Sequence, residues 1–485
     1  MIPWSIPITS FEGLTPAFWE DSYPTIGNKG HASSLTAVDL TNPNILTQGP
    51  GLADLTLGTN NGVLATNLRG IQKISLNGTH AYAVGGNKLY KFTSSAMISD
   101  GNFPHTIDKA VVTGETGEDV CEYQGNTYYS YDYGTAGDIG QLTGAATFDD
   151  DWMSTIPTGA AALQGGVPHQ MIVGGDDTMY ITNGRYIASL RTTTFVDKDL
   201  DLPVGEVAMG IGYTGNRIWV ATNRPNVSST VQAESSVYVW DGTSDSWEFQ
   251  VKVFGRVGSV YIKNGVVFIF YQDVSFAGGY KLGIVSGTSI KDLTFFTGGL
   301  PLFYQITEHK NHLLWIAGDD IWAYGAATND LPTRAFKYAK TGYTTPGGLT
   351  NVFGVPMVSS TDGASAYRFA KFSGYTVSAT WNSINLDLYT GTQKSYIAKI
   401  SIFTDPLQTG AKLTGTMSVN YGSVTKNLED ITYDSANPNK TRHIVVDNSI
   451  EVETLRLDLS WAGGSTTNPV KIRKIIIDGY YTPNQ

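Results

Sequence analysis

Apolar and polar positions alternate along this chain in short runs, broken every few residues by Gly, Asn or Asp, and no sustained helical period interrupts them. One unit recurs: a polar turn, a short strand with a central aromatic, a second turn and another aromatic strand. It is seen in Asn77-Gly78-Thr79-His80-Ala81-Tyr82-Ala83-Val84 followed by Lys88-Leu89-Tyr90-Lys91-Phe92, and again at Gly125 to Ser130, Asp176 to Ile181, Gly215 to Val220, Asn264 to Ile269 and Asn311 to Ile316. The central aromatics are Tyr82, Tyr129, Tyr180, Trp219, Phe268 and Trp315, separated by 47, 51, 39, 49 and 47 residues on subtracting positions. A four-stranded propeller blade consumes about 40–50 residues, and a mid-strand aromatic can fill the wedge between two blades.

A weaker seventh unit runs from Gly347 to Phe372, through Val352-Phe353-Gly354-Val355 and Ala366-Tyr367-Arg368-Phe369. Ring closure calls for a blade shared between distant segments, and the stretch after Gly51 is placed to supply that strand. The pattern leaves six and seven blades both open. Residues 1–54 lack the repeat and are expected as an extended N-terminal arm; residues 55–374 are the propeller. After Gly374 the blade motif stops, but alternation continues at 379–388, 396–403 and 416–421, with further strands expected at 443–447, 453–461 and 470–478. The fold class expected is therefore all-β: an irregular β-propeller of six to seven blades followed by an antiparallel, jelly-roll-like β-sandwich over 375–485.

Composition supports this. Charged residues are only 15%, aromatics reach 12%, and 54 glycines suit many tight turns. The formal net charge of −11 argues against nucleic-acid binding, which needs clustered Lys and Arg. No apolar run is long enough for a transmembrane helix, and Met1-Ile2-Pro3-Trp4-Ser5 does not open like a secretory signal. The single cysteine, Cys121, is expected as a small apolar residue on a strand. Asp149-Asp150-Asp151 is expected to be a solvated turn.

No chemistry stands out. The seven histidines (His31, His80, His105, His169, His309, His312 and His443) are scattered without metal-ligand spacing, and His309 and His312 are expected to be solvated residues flanking a Lys310-Asn311 turn. Asp197-Lys198-Asp199-Leu200-Asp201 opens like a calcium loop, but Leu202 and Ala208 stand where that loop needs glycine and glutamate, so an inter-blade turn is expected. Gly210-Ile211-Gly212-Tyr213-Thr214-Gly215 matches a dinucleotide fingerprint, yet the strand Arg217 to Val220 follows it where a helix would be needed. Neither cofactor nor metal is expected, and no catalytic residue is assigned. A carbohydrate-active enzyme with two carboxylates across the propeller mouth stays open as a minor alternative.

Residues 11–24 carry Phe11, Phe18, Trp19 and Tyr23 between prolines, and Trp4 precedes them. These five aromatics are the candidate partner-docking residues, because Trp, Phe and Tyr anchor interfaces; packing on the chain's own propeller is the competing role. Together with Asn28-Lys29-Gly30, the turn Thr47-Gln48-Gly49-Pro50-Gly51, and the C-terminal stretches Trp381-Asn382-Ser383, Asp405-Pro406-Leu407-Gln408-Thr409-Gly410 and Lys471 to Tyr480, this organisation resembles a tailed-bacteriophage virion protein of the tail or tail-tip type. The resemblance implies a structural component made in the host bacterial cytoplasm and built into the virion. Its expected partners are other virion proteins, and a homo-oligomeric ring is the expected assembly. The alternative is a receptor-binding module for a host surface glycan, with the Trp240 to Trp247 insertion as the first place for a sugar platform.

Overall fold

The computed structural model describes residues 1–14, 30–56, 63–109, 113–155, 162–224, 234–272, 279–325, 335–338, 344–361, 366–389, 393–462 and 465–483. They form an all-β molecule made of a propeller and a two-sheet sandwich.

The polar turn of the repeat has a conformational cause. Gln124-Gly125, Gly215-Asn216, Asn264-Gly265 and Lys310-Asn311 all hold two consecutive residues at positive φ. That is the backbone of the two-residue hairpin whose twist matches its flanking strands, and it favours Gly and Asn. Each such turn joins the first two strands of a blade, at 116–123/126–132, 207–214/217–223, 256–263/266–272 and 306–309/312–317.

Seven blades close the ring. Blade one is Ala81–Gly85, Lys88–Phe92 and His105–Thr106, with residues 69–72 as an irregular innermost segment. Blades two to six begin at Thr116, Met171, Val207, Arg256 and Ile306, each with four main strands in antiparallel order. Blade seven is Pro346–Thr350, Met357–Thr361 and Tyr367–Ser373, completed by Gly51–Asp54, which pairs Leu52 with Phe372. The closing strand is thus where the sequence placed it. Val352-Phe353-Gly354-Val355, through which the seventh unit was expected to run, is a turn between its first two strands.

The wedge idea holds with one refinement. Hydrophobic clusters straddle neighbouring blades: Tyr82 and Val84 with Val120 and Leu142 between one and two, and Tyr180 and Leu200 with Ile218 and Trp240 between three and four. Tyr82, Tyr180, Trp219 and Phe268 face the following blade, whereas Tyr129 and Trp315 face the preceding one. Side chains alternate faces along a strand, so an offset of one residue is enough to reverse the direction. In blade two it is Tyr128 that faces forward, toward Met171 and Phe195.

The sandwich departs from expectation at its beginning. Its first sheet runs Ile2–Ile8, Ile472–Pro483, Gln393–Thr404, Arg442–Val446; the second runs Ala32–Thr36, Thr380–Ser383, Thr454–Ser460, Lys412–Val419, Val424–Asn427. Residues 2–8 and 32–36, expected within an extended arm, are therefore edge strands of the sandwich, and the propeller is an insertion between them and residue 375 onward. Ile2–Ile8 carries Pro3 and Pro7, which suit an edge because they have no N–H to leave unpaired. Trp315, Phe270 and Leu349 of the propeller belong to the same apolar cluster as Ile8, Leu35, Trp381 and Ile477 of the sandwich. One continuous core joins the two bodies.

Candidate functional site

The docking aromatics divide. Phe11 is fully buried and sits edge-on to Trp381 with ring centroids 5.9 Å apart. Trp4 is half-buried, tilted against Tyr481 at 5.9 Å, and its ring lies over Gly479, where a Cβ would come within 2.2 Å of it. Both aromatics pack against their own sandwich. Phe18, Trp19 and Tyr23 lie outside the described residues. In the expected sugar platform, Trp240 is fully buried and donates its Nε1 proton to the Ser244 carbonyl at 2.7 Å, while Trp247 packs edge-on to Tyr238. Trp240 therefore has no face for stacking, and Trp247 is partly buried.

Several polar motifs are structural in ways the sequence did not show. Asp150, expected in a solvated turn, accepts from the Tyr129 hydroxyl and the Asp108 N–H, and its carboxylate lies 3.1 Å from His105 Nε2. It pins blade two to blade one. Lys109 beside it pairs with Asp138 and with Asp151. Asp197 to Asp201 lies in a strand, not a turn: Asp199 takes the Ser189 hydroxyl at 2.6 Å and Arg191 at 3.0 Å, and Asp201 pairs with Arg185. His312 is buried with Nδ1 3.0 Å from the Lys310 carbonyl, and His309 is half-buried, its pKa lowered to about 4 by desolvation and then by Lys310. The Lys310-Asn311 turn is as expected, but His312 is buried and His309 only partly exposed.

The arrangement with most chemical content lies where the innermost strands converge, and no local pattern along the chain marks it. Lys73 follows the innermost segment of blade one and reaches blades six and seven. Its ammonium donates to the Ile306 carbonyl of blade six at 2.8 Å and to the Leu349 carbonyl of blade seven. Gln72 ties the same point: its side-chain carbonyl accepts the Tyr82 N–H at 3.0 Å and its amide donates to Glu122 at 2.7 Å. Thr350 of blade seven donates to the Gln72 carbonyl at 2.8 Å. In blade two, buried Asp119 accepts the Val120 N–H at 2.9 Å and the Met171 N–H of blade three at 2.8 Å.

Desolvation dominates both charges. Burial lowers the pKa of Lys73 to about 8, with the Asp119 carboxylate opposing it; burial pushes Asp119 up to about 7, against its two backbone N–H bonds and the Lys73 charge. Such a pair near neutrality marks a functional-site candidate, although ion networks that only hold a fold perturb pKa in the same way. Above the pair opens a pocket of about 380 Å³, lined by Ile74, Glu122, Met171, Val173, Asp177 and Phe303 among others. Cys121 lines it too, half-buried on its strand, with its thiol pushed well up by burial and by Asp119 and Glu122. No group of three or more metal-ligating side chains occurs among the described residues.

No family model matches this chain, and no curated protein matches it. Solved structures with a related fold include the β-propeller domain of Cps50 (Swd1) from Myceliophteria thermophila, 7% identical, covering 66% of this chain and 99% of that one with a TM-score of 0.42. An exo-β-1,3-galactanase from Phanerochaete chrysosporium is 10% identical over 88% of this chain and 100% of its own, with a TM-score of 0.32. The PQQ-bound aldose sugar dehydrogenase from Streptomyces coelicolor is 9% identical over 67% and 99%, with a TM-score of 0.38. Likenesses this distant carry no inference about activity. Among the described residues, no helix is long and apolar enough to cross a membrane.

Proposed function

We propose that this protein is a structural component of a tailed-bacteriophage virion, of the tail or head–tail machinery, working through contacts with other virion proteins. The observation that supports this most is the insertion of the propeller into the sandwich. The chain enters the sandwich through 2–8 and 32–36, closes blade seven with 51–54, rounds the propeller and returns at 380–383. Two bodies joined by one apolar cluster behave as a single rigid unit, whereas a small polar interface would leave a hinge. The axial hub of Lys73, Gln72 and Asp119 adds fixed bonds among blades one, two, three, six and seven. A stiff disc with an attached sandwich suits a part that must hold its neighbours in register.

The test is assembly and location. Multi-angle light scattering of the purified chain should report a ring of several copies, and gold-labelled antibody should mark intact particles. A chain that stays monomeric and is absent from particles has another role. Glycan-array binding in the absence of particle labelling would favour the host-glycan module instead.

A further inference from the structure

We propose that the axial pocket binds a small organic cation, an ammonium or guanidinium head carried on an apolar stem. This does not rest on the virion role. The cavity holds about 380 Å³, within the range of small-molecule sites, which are mostly apolar with a few placed polar groups. Met171 and Phe303 form apolar wall, and the rim is unusually bare: Ile74 is 72% exposed, Leu76 69% and Val173 39%. Three aliphatic side chains left in water around one opening make a collar that an apolar stem would cover.

Charge selects the head group. The pocket is lined by three carboxylates, Asp119, Glu122 and Asp177, against one cation, Lys73. The Lys73 ammonium is already committed to two carbonyls. Glu122 takes the Gln72 amide and the Leu76 N–H through Oε2, and Asp177 takes the Gln124 amide through Oδ2. A carboxylate has about four lone-pair sites, so the second oxygen of each remains available as an acceptor. An anion would meet surplus negative charge, and a neutral ligand could bond those acceptors but would leave their charge unbalanced. Phe303 adds an aromatic ring to the lining, which further suits a cation.

The experiment titrates the full chain by calorimetry at pH 7.5 with three matched probes: phenethylammonium, 3-phenylpropanoate and 2-phenylethanol. Phenethylammonium should bind at least about tenfold more tightly than either of the others, a difference of about 1.4 kcal/mol. Glu122→Gln should weaken it by about fivefold or more, and Val173→Trp, which fills the mouth from an exposed position, should abolish it. Circular dichroism melting checks that both variants fold. Equal binding of the three probes, a preference for 3-phenylpropanoate, or no binding by 10 mM (roughly the weak limit of useful affinity) overturns the proposal. Phenethylammonium binding that survives Val173→Trp in a folded protein overturns it as well, because the cation then sits elsewhere.

Discussion

The Lys73 ammonium donates to the Ile306 carbonyl at 2.8 Å, so a side chain from blade one is bonded to the innermost strand of blade six, its next-but-one neighbour in the ring. The bond passes blade seven, whose Leu349 carbonyl takes the same ammonium, and so ties three blades at one point. Lys73→Met keeps most of the stem but leaves the Ile306 and Leu349 carbonyls without that donor. Losing a buried partner costs about 1–3 kcal/mol, partly offset by removing a desolvated charge. The urea midpoint should fall accordingly; an unchanged midpoint would mean that the hub does not bear on stability.

Asp119 gives a pH signature with a definite sign. Its folded pKa, about 7, lies above its ordinary value of 3.8. Between those values the folded state keeps a proton that the unfolded chain has lost. Its contribution to stability is therefore complete below pH 4 and disappears as pH rises through 7. Asp119→Asn removes the titration, so the variant's stability relative to the parent should improve from pH 5 to pH 8, by at most about 1.4 kcal/mol per unit. A difference between the two proteins that does not vary with pH would refute the assignment.

Residues 1–36 were expected within an extended arm, and the strand pairing makes two parts of them integral to the sandwich. Deleting them bares one edge of Ile472–Pro483 and one edge of Thr380–Ser383. It also removes Phe11 from against Trp381. Unpaired sheet edges beside an opened core favour aggregation. Size-exclusion chromatography of the truncated chain should show aggregates in place of the parent's discrete species. A well-behaved product with parental melting temperature would restore the arm.

Cys121 should be inert. Its thiol is held protonated by burial and by Asp119 and Glu122, and the thiolate is the reactive form. A chromogenic disulfide reagent at pH 7.5 should react at least about 100-fold more slowly with the native chain than with the chain in denaturant. Comparable rates would show that the strand around Cys121 opens readily.

What could be read from the sequence follows from how local each feature is. The hairpins were legible because turns such as Asn264-Gly265 need positive φ and announce themselves by residue type. Blades one to six carried an aromatic in the second strand, but blade seven has Met357-Val358-Ser359-Ser360-Thr361 there, so its weak signal has a plain cause. Edge strands 2–8 and 32–36 were missed because their partners lie hundreds of residues away, and no local pattern says what an isolated apolar strand will pair with. The axial site was illegible for the same reason. Lys73, Asp119, Met171 and Phe303 become neighbours only when the ring closes. Asp150 shows the converse error: a run of three aspartates reads as solvated, yet Tyr129 and His105 arrive from elsewhere to bond the middle one.

The pairing of Ile2–Ile8 with Ile472–Pro483 also sets a timetable. On a ribosome adding about 5–20 residues per second, the first strand waits roughly 20 to 90 seconds for its partner to be made. During that interval the propeller can close, since 51–54 meets 367–373 earlier, while the opening strand stays unmatched beside growing sheet. Pro3 and Pro7 make it a poor template for any other strand in the meantime. The same two prolines that suit a finished edge thus guard the chain while it is still being written.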